Sequence, residues 1–203
     1  GLYSEDALAL VRRHVTSIIR EWDHLSRDFP LQMSLFEVGQ VYENSARLGY
    51  ALHAADSRYQ LEKLVGDPSR VSARSFADYL ADLGDMTAVA SAEAEEALER
   101  HIASLFGDMR ALQRDLLEAL RAGHRDGDIR PRLQDLVADG EVASVRLSVS
   151  HLRQLALEAC AFGFLLGSDE ADLGMSVELT LPSVGQGPQG PSLDLLRLHI
   201  FGA

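Results

Sequence analysis

Cysteine is nearly absent from this chain of 203 residues. Cys160 stands alone, which excludes a disulfide framework, a CxxC redox pair and a cysteine zinc site. It sits mid-helix in Ala-Cys-Ala-Phe-Gly, away from the helix N-terminus or neighbouring base that activates a thiol, and reads as a small buried hydrophobe. Lysine is as scarce: of 19 basic residues only Lys63 is a lysine, and the arginines are scattered rather than grouped into a phosphate or carboxylate clamp. Positive charge is in deficit overall, with a formal charge of -12, so neither nucleic acid nor an anionic membrane surface is an expected partner. Long apolar runs are missing too. The longest, Ala159 to Gly167, falls far short of the roughly 20 residues of a spanning helix, and no integral membrane insertion is expected. The acidic start GLYSEDALAL lacks Met and shows no signal or transit pattern, so either a leader has been removed or the chain is trimmed.

What is present is a repeat. Ser34 to Asp56 (SLFEVGQVYENSARLGYALHAAD) lies over Ser148 to Glu170 (SVSHLRQLALEACAFGFLLGSDE), 114 positions on. The overlay pairs Val38 with Leu152, Gln40 with Gln154, Val41 with Leu155, Leu48 with Phe162, Gly49 with Gly163, Tyr50 with Phe164 and Leu52 with Leu166. A glycine inside an apolar helix costs about 1 kcal/mol against alanine. Two at equivalent places therefore predict that the Gly49 and Gly163 helices pack with their backbones unusually close.

With 46% hydrophobic residues the chain has enough material for a core. A single domain over residues 1–203 is expected, with an N-terminal helix in 1–30, a helical part in 31–140 and a strand-helix-hairpin part in 141–203. Leu8, Val11, Val15, Ile18, Trp22 and Leu25 recur at helical steps from about Ser4 to Arg27, stopped by Phe29-Pro30. Ser34-Leu35-Phe36-Glu37 is a capping box opening a long helix that closes at Gly66-Asp67-Pro68. Further helices are predicted around Ser75 to Leu83, from about Thr87 to Phe106, and after Gly107-Asp108 to near Gly123. Beyond Gly140 the period becomes two. Val145, Leu147 and Val149 read as a strand before the Gly163 helix; Met175 to Leu181 and Leu196 to Ile200 read as a hairpin around PSVGQGPQGPS. The expected fold class is α+β, mostly helical, with a small C-terminal antiparallel sheet and two equivalent Gly-containing core helices.

No motif announces chemistry. Gly185-Gln186-Gly187-Pro188-Gln189-Gly190 matches G-x-G-x-x-G, but proline removes an amide and a strand follows instead of a helix, so it reads as a hairpin loop. Glu21-Trp22-Asp23-His24 has the Glu-x-x-His spacing of carboxylate-bridged metal sites without the second copy such sites need. Glu93, Glu95, Glu96 and Glu99 favour the positive end of their helix dipole. The histidines (His14, His24, His53, His101, His124, His151, His199) show no zinc spacing, and there is no G-x-S-x-G elbow or P-loop. Catalytic, cofactor-binding and metal-binding residues are therefore expected to be none, while a site assembled by folding from distant Ser, His and Asp stays open.

Leu48-Gly49-Tyr50-Ala51-Leu52, followed by Asp56-Ser57-Arg58-Tyr59-Gln60-Leu61-Glu62, resembles the signature of a domain-of-unknown-function family, number seven-sixty, of cyanobacteria and plastids. Some of its members bear the name UV-B-induced chloroplast protein. Glu96 to Gly107 (EALERHIASLFG) and Leu147 to Leu166 (LSVSHLRQLALEACAFGFLL) are similar to two further segments in the family's order. The resemblance implies a chloroplast address in the plastid stroma and a precursor processed by loss of a transit peptide. It implies no activity and carries no catalytic residue across. Asp108 to Gly140 is longer than in plant members and Ser176 to Phe201 matches weakly, so partner surfaces there are expected to be particular to this lineage.

The expectation is thus a non-enzymatic stromal interaction protein, a regulator or accessory subunit of a larger assembly with protein partners. The alternatives are a small-ligand or pigment module between the Gly helices, using inward polar groups such as Tyr50, Gln40 or Gln154, and an enzyme built from dispersed residues. Asp56, Arg58 and Glu62 are the candidate anchor or partner surface. Arg58 and Glu62 share a helix face and Asp56 does not, yet the family phrase keeps a charge at each place, more than one weak helix pair requires.

Overall fold

A computed structural model describes residues 2–65, 76, 91–122 and 129–178, the last stretch with side chains to residue 173. It opens with α1 (Glu5–Ile19), whose N-terminus is capped by Ser4 Oγ accepting from the Ala7 amide at 3.2 Å. The helix ends earlier than its apolar spacing predicts. A 3-10 turn (Arg20–Trp22) follows, and Trp22 at its end and Leu25 beyond it pack into the base of the molecule beside Leu31, Met33 and Val149. Strand β1 (Pro30–Ser34) then leads into α2 (Leu35–Val65). The capping box forms in full: Ser34 Oγ accepts from the Glu37 amide at 3.2 Å while the Glu37 carboxylate accepts from the Ser34 amide at 3.0 Å.

The second half begins with α3 (Ala92–Phe106), capped by Ser91 and closed by Gly107 at φ 83°, a left-handed conformation that favours glycine. Next come α4 (Met109–Ala122), started by the Asp108 carboxylate accepting from the Arg110 and Ala111 amides, and α5 (Ile129–Ala138), which the apolar spacing does not announce. Strand β2 (Ser144–Ser148) leads into α6 (Val149–Glu178). Ser148 Oγ accepts from the His151 amide at 3.2 Å, the cap that Ser34 makes 114 residues earlier.

The fold is α+β and mostly helical, but the composition of the sheet differs from expectation. The strand predicted at Val145 to Val149 is present as β2, and its partner is β1 from the N-terminal half. Pro30, expected to stop the N-terminal helix, instead begins a strand, a place where a missing amide is tolerated. Met175 and Val177, expected in a strand, lie inside α6; a short alternating run that continues a helix is not told from a helix end by periodicity. The rest of the predicted hairpin, from residue 179 on, lies outside the described residues, as does the Ser75 to Leu83 helix except for Phe76.

The two strands run antiparallel with Gln32 opposite Arg146, Leu31 opposite Leu147 and Met33 opposite Val145. Gln32 and Arg146 are 114 residues apart, and the same interval turns each flanking pair into the other. A local two-fold axis therefore passes between Gln32 and Arg146. From this base α2 and α6 rise side by side in the same direction, in contact near Val38 and Leu152 and again at His53 and Gly167. α1 packs on one flank of the pair through Ala7, Val11 and Val15, and α3 on the other through Leu98 and Ile102. Among the described residues no helix is long and apolar enough to cross a membrane.

Candidate functional site

The seam between α2 and α6 is set by the two repeat glycines. A Cβ at Gly49 would stand 2.9 Å from Cys160 Cα and closer still to its carbonyl oxygen; one at Gly163 would stand 2.9 Å from the Tyr50 amide nitrogen and closer still to the Ala46 carbonyl. Ala46 and Cys160 are themselves 114 residues apart, so the two contacts are symmetry mates. Only glycine lets two helix backbones meet this closely, and the contact leaves no room there for a ligand. Gln40 and Gln154 point outward: both are exposed, with Gln154 donating to Glu158 at 2.7 Å. Neither supplies the inward polar group that a ligand between the helices would use.

Polar clusters flank the seam. On one side Tyr50 donates to Glu170 in a very short hydrogen bond, and burial followed by that carboxylate drives the Tyr50 hydroxyl pKa strongly up. Arg47 lies one turn below, donating to both oxygens of Glu95 (2.8 Å from Nη1) and to Glu43 at 3.1 Å. The Arg47 hydrogen bonds hold the Glu95 carboxylate below its ordinary range. Tyr42 and His101 share a hydrogen bond of 2.8 Å, and His101 stacks on Phe162 with centroids 4.0 Å apart. Burial raises the Tyr42 pKa, helped by the charge of Glu158.

On the other side His14 Nε2 lies 2.9 Å from Ser45 Oγ, and burial lowers the His14 pKa. A serine paired with a neutral histidine is the kernel of a nucleophile and base, but Ser45 is wholly buried beneath α1, out of reach of any substrate. Cys160 is equally sealed, and burial pushes its thiol up to about 12, opposite to what a reactive cysteine needs. Among the described residues no three His, Cys, Asp or Glu side chains are placed to hold a metal. A depression of about 430 Å³ is lined by one face of α4 alone, through Arg110, Gln113, Arg114, Leu117, Glu118 and Arg121.

The three charges singled out near the end of the first Gly helix part company. Asp56 is 7% exposed and accepts from the Ser4 amide at 3.3 Å and from Gln60 Nε2 at 3.1 Å, tying the start of α1 to α2. Arg58 is exposed and Glu62 half-exposed, on a different face. The sequence motif thus holds an internal tie and an outward face together. The tie escaped sequence reasoning because its donor is a backbone amide 52 residues away.

One stretch of the chain, just under a third of its length, matches a known family. Residues 2–65 fit the model of the family described as Protein of unknown function (DUF760). The DUF760 match takes in α1, β1 and α2 and contains the Leu48 to Glu62 phrase. The similar stretches Glu96 to Gly107 and Leu147 to Leu166 lie beyond the matched residues. No curated protein and no solved structure matches the chain.

Proposed function

We propose that this protein is a non-enzymatic interaction protein, a regulator or accessory subunit of a larger protein assembly in the plastid stroma. The observation that carries the reading is the outer face of the last turns of α2. Leu61, Leu64 and Val65 are 60%, 84% and 80% exposed, and Leu61, Glu62 and Val65 lie three, four and seven residues on from Arg58, on one side of the helix. Apolar side chains grouped in water beside a charged pair are the composition of a partner surface, where burial supplies affinity and the charges set register. The sealed state of Ser45 and Cys160 supports a role without chemistry. The stromal address rests on the resemblance of the Leu48 to Glu62 phrase.

Affinity capture from a stromal extract tests the reading, comparing the parent chain with Leu64→Asp/Val65→Asp. The parent is expected to retain a defined protein set that the variant loses while melting at the same temperature. Equal capture by both chains would refute the assignment of this surface. Charge reversal at Arg58, as Arg58→Glu, separates the two roles weighed for that residue: lost stability marks an internal anchor, and lost capture with unchanged stability marks an interface.

A further inference from the structure

The two-fold relation extends past the seam, to helices that lie outside the 114-residue interval. Residues 4–19 (SEDALALVRRHVTSII) and 91–106 (SAEAEEALERHIASLF) superpose at an interval of 87. The buried Ala7, Val11 and Val15 fall on the buried Ala94, Leu98 and Ile102. The capping Ser4 falls on the capping Ser91, each accepting from the amide three residues on, at 3.2 and 3.1 Å. His14 falls on His101, and the hydroxyls of Ser17 and Ser104 each donate to that histidine's carbonyl at 2.6 Å.

What these helices pack against is equally matched. Leu52, Ala156 and Cys160 under α1, with Val41 and Leu48 beside them, become at 114 residues Leu166, Tyr42 and Ala46 under α3, with Leu155 and Phe162 beside them. The tie of the Ser4 amide to Asp56 has its counterpart where Ser91 meets Glu170, the residue 114 on from Asp56: there the Tyr50 hydroxyl bridges, bonded to Glu170 and to the Ser91 backbone. The interval grows from 87 to 114 between Phe106 and Ser144, so residues 107–143 hold 27 more positions than the segment 20–29 that joins α1 to β1. α4 and α5 occupy that longer segment. The DUF760 match begins and ends with the first α-β-α unit.

We infer that residues 91–178 are a second, diverged copy of the unit matched at residues 2–65, enlarged by α4 and α5, and that the glycine face of each unit is a self-pairing surface whose partner is another copy of the unit. The protein is a dimer of that unit fused into one chain. Two unrelated segments packed together would share neither the caps, nor the serine-to-histidine hydrogen bond, nor an exchange of cluster members at one fixed interval. This reading is independent of the partner surface proposed on α2.

Register-specific grafts in the full chain test it. In the first variant residues 91–106 carry the sequence of residues 4–19, which keeps the serine, alanine and histidine in place. In the second they carry the sequence of residues 2–17, which puts Glu5 where Ala94 is buried and Arg13 where Ile102 is buried. Thermal unfolding followed by circular dichroism is expected to show one cooperative transition for the in-register graft, lowered by about 10 °C or less, the scale of a few lost methylene groups in a chain of this size. The displaced graft is expected to lose the transition. Because the groove under α3 is lined by different side chains, the reciprocal pair, with the sequence of residues 91–106 placed at 4–19 in and out of register, is measured alongside. Either in-register graft holding where its displaced twin fails supports the duplication; failure of both in-register grafts, or equal melting in and out of register, overturns it.

Discussion

The carbonyl group of Cys160 occupies the place where a Cβ of Gly49 would stand, and 114 residues apart the carbonyl of Ala46 does the same to Gly163. Gly49→Ala and Gly163→Ala each force backbone against backbone, which has no flexible end to yield, and each is expected to destabilise by about 1–3 kcal/mol in urea unfolding. Their leucine counterparts should cost more. Gly39→Ala is the control: its Cβ would meet the Met109 side chain, which can rotate away, so a markedly smaller loss is expected. A Gly39 variant as damaging as the seam variants would contradict this account of the seam.

Acid should weaken the fold through His14. Burial lowers its pKa below the ordinary 6.5, so the folded state holds the neutral ring while the unfolded chain takes up a proton first. The contribution is complete above about pH 6.5 and is lost as pH falls through the lower, folded value. His53 shifts the same way, through burial opposed by Asp56 and Asp172. Unfolding free energy measured from pH 7 to pH 5 should therefore decline, and His14→Gln should flatten the decline while keeping a polar group beside Ser45. A slope unchanged in that variant would remove His14 from the explanation.

Tyr3→Phe should leave stability unchanged or raise it. The Tyr3 hydroxyl is buried without a hydrogen-bond partner among the described residues, while its ring packs edge-on to Phe164 at 4.7 Å. Deleting a desolvated, unsatisfied hydroxyl and keeping the ring removes a penalty of about 1 kcal/mol. A loss of stability of that size would reveal a partner for the hydroxyl.

Arg47 joins α2 to α3 through Glu95, with Glu43 alongside. The side chains are about one-third exposed, so solvent screening limits the gain. Arg47→Gln is expected to cost about 0.5–1 kcal/mol, with the cost shrinking in 1 M salt. A double-mutant cycle with Glu95→Gln should return most of that as coupling between the pair.

How much of this was legible before folding depends on the kind of signal. Gly49, Gly163 and the Ser34 cap stand out because each is a residue type that its position demands, and they mark the long helices and their repeat. The kinship of α1 and α3 is harder to see: Val11 and Val15 stand where Leu98 and Ile102 do, and a core accepts such exchanges as long as volume is roughly kept. β1 was hidden because Pro30 signals a stop as strongly as a start, and a strand's partner is a long-range fact that no local period contains. The Asp56 tie and the sealing of Ser45 by α1 are long-range in the same way.

The strand pair also sets a timetable for synthesis. β1 is complete at Ser34, but β2 begins only at Ser144, about 110 residues later, which at ordinary translation rates is on the order of 10 s. Throughout that interval the nascent chain carries an unsatisfied strand edge and an uncovered glycine face, both shaped to receive a copy of themselves. Neighbouring ribosomes on one message present that same copy at high local concentration. Fusing the two units in one polypeptide turns this hazard into a race, won when the tethered second unit arrives before a stranger does.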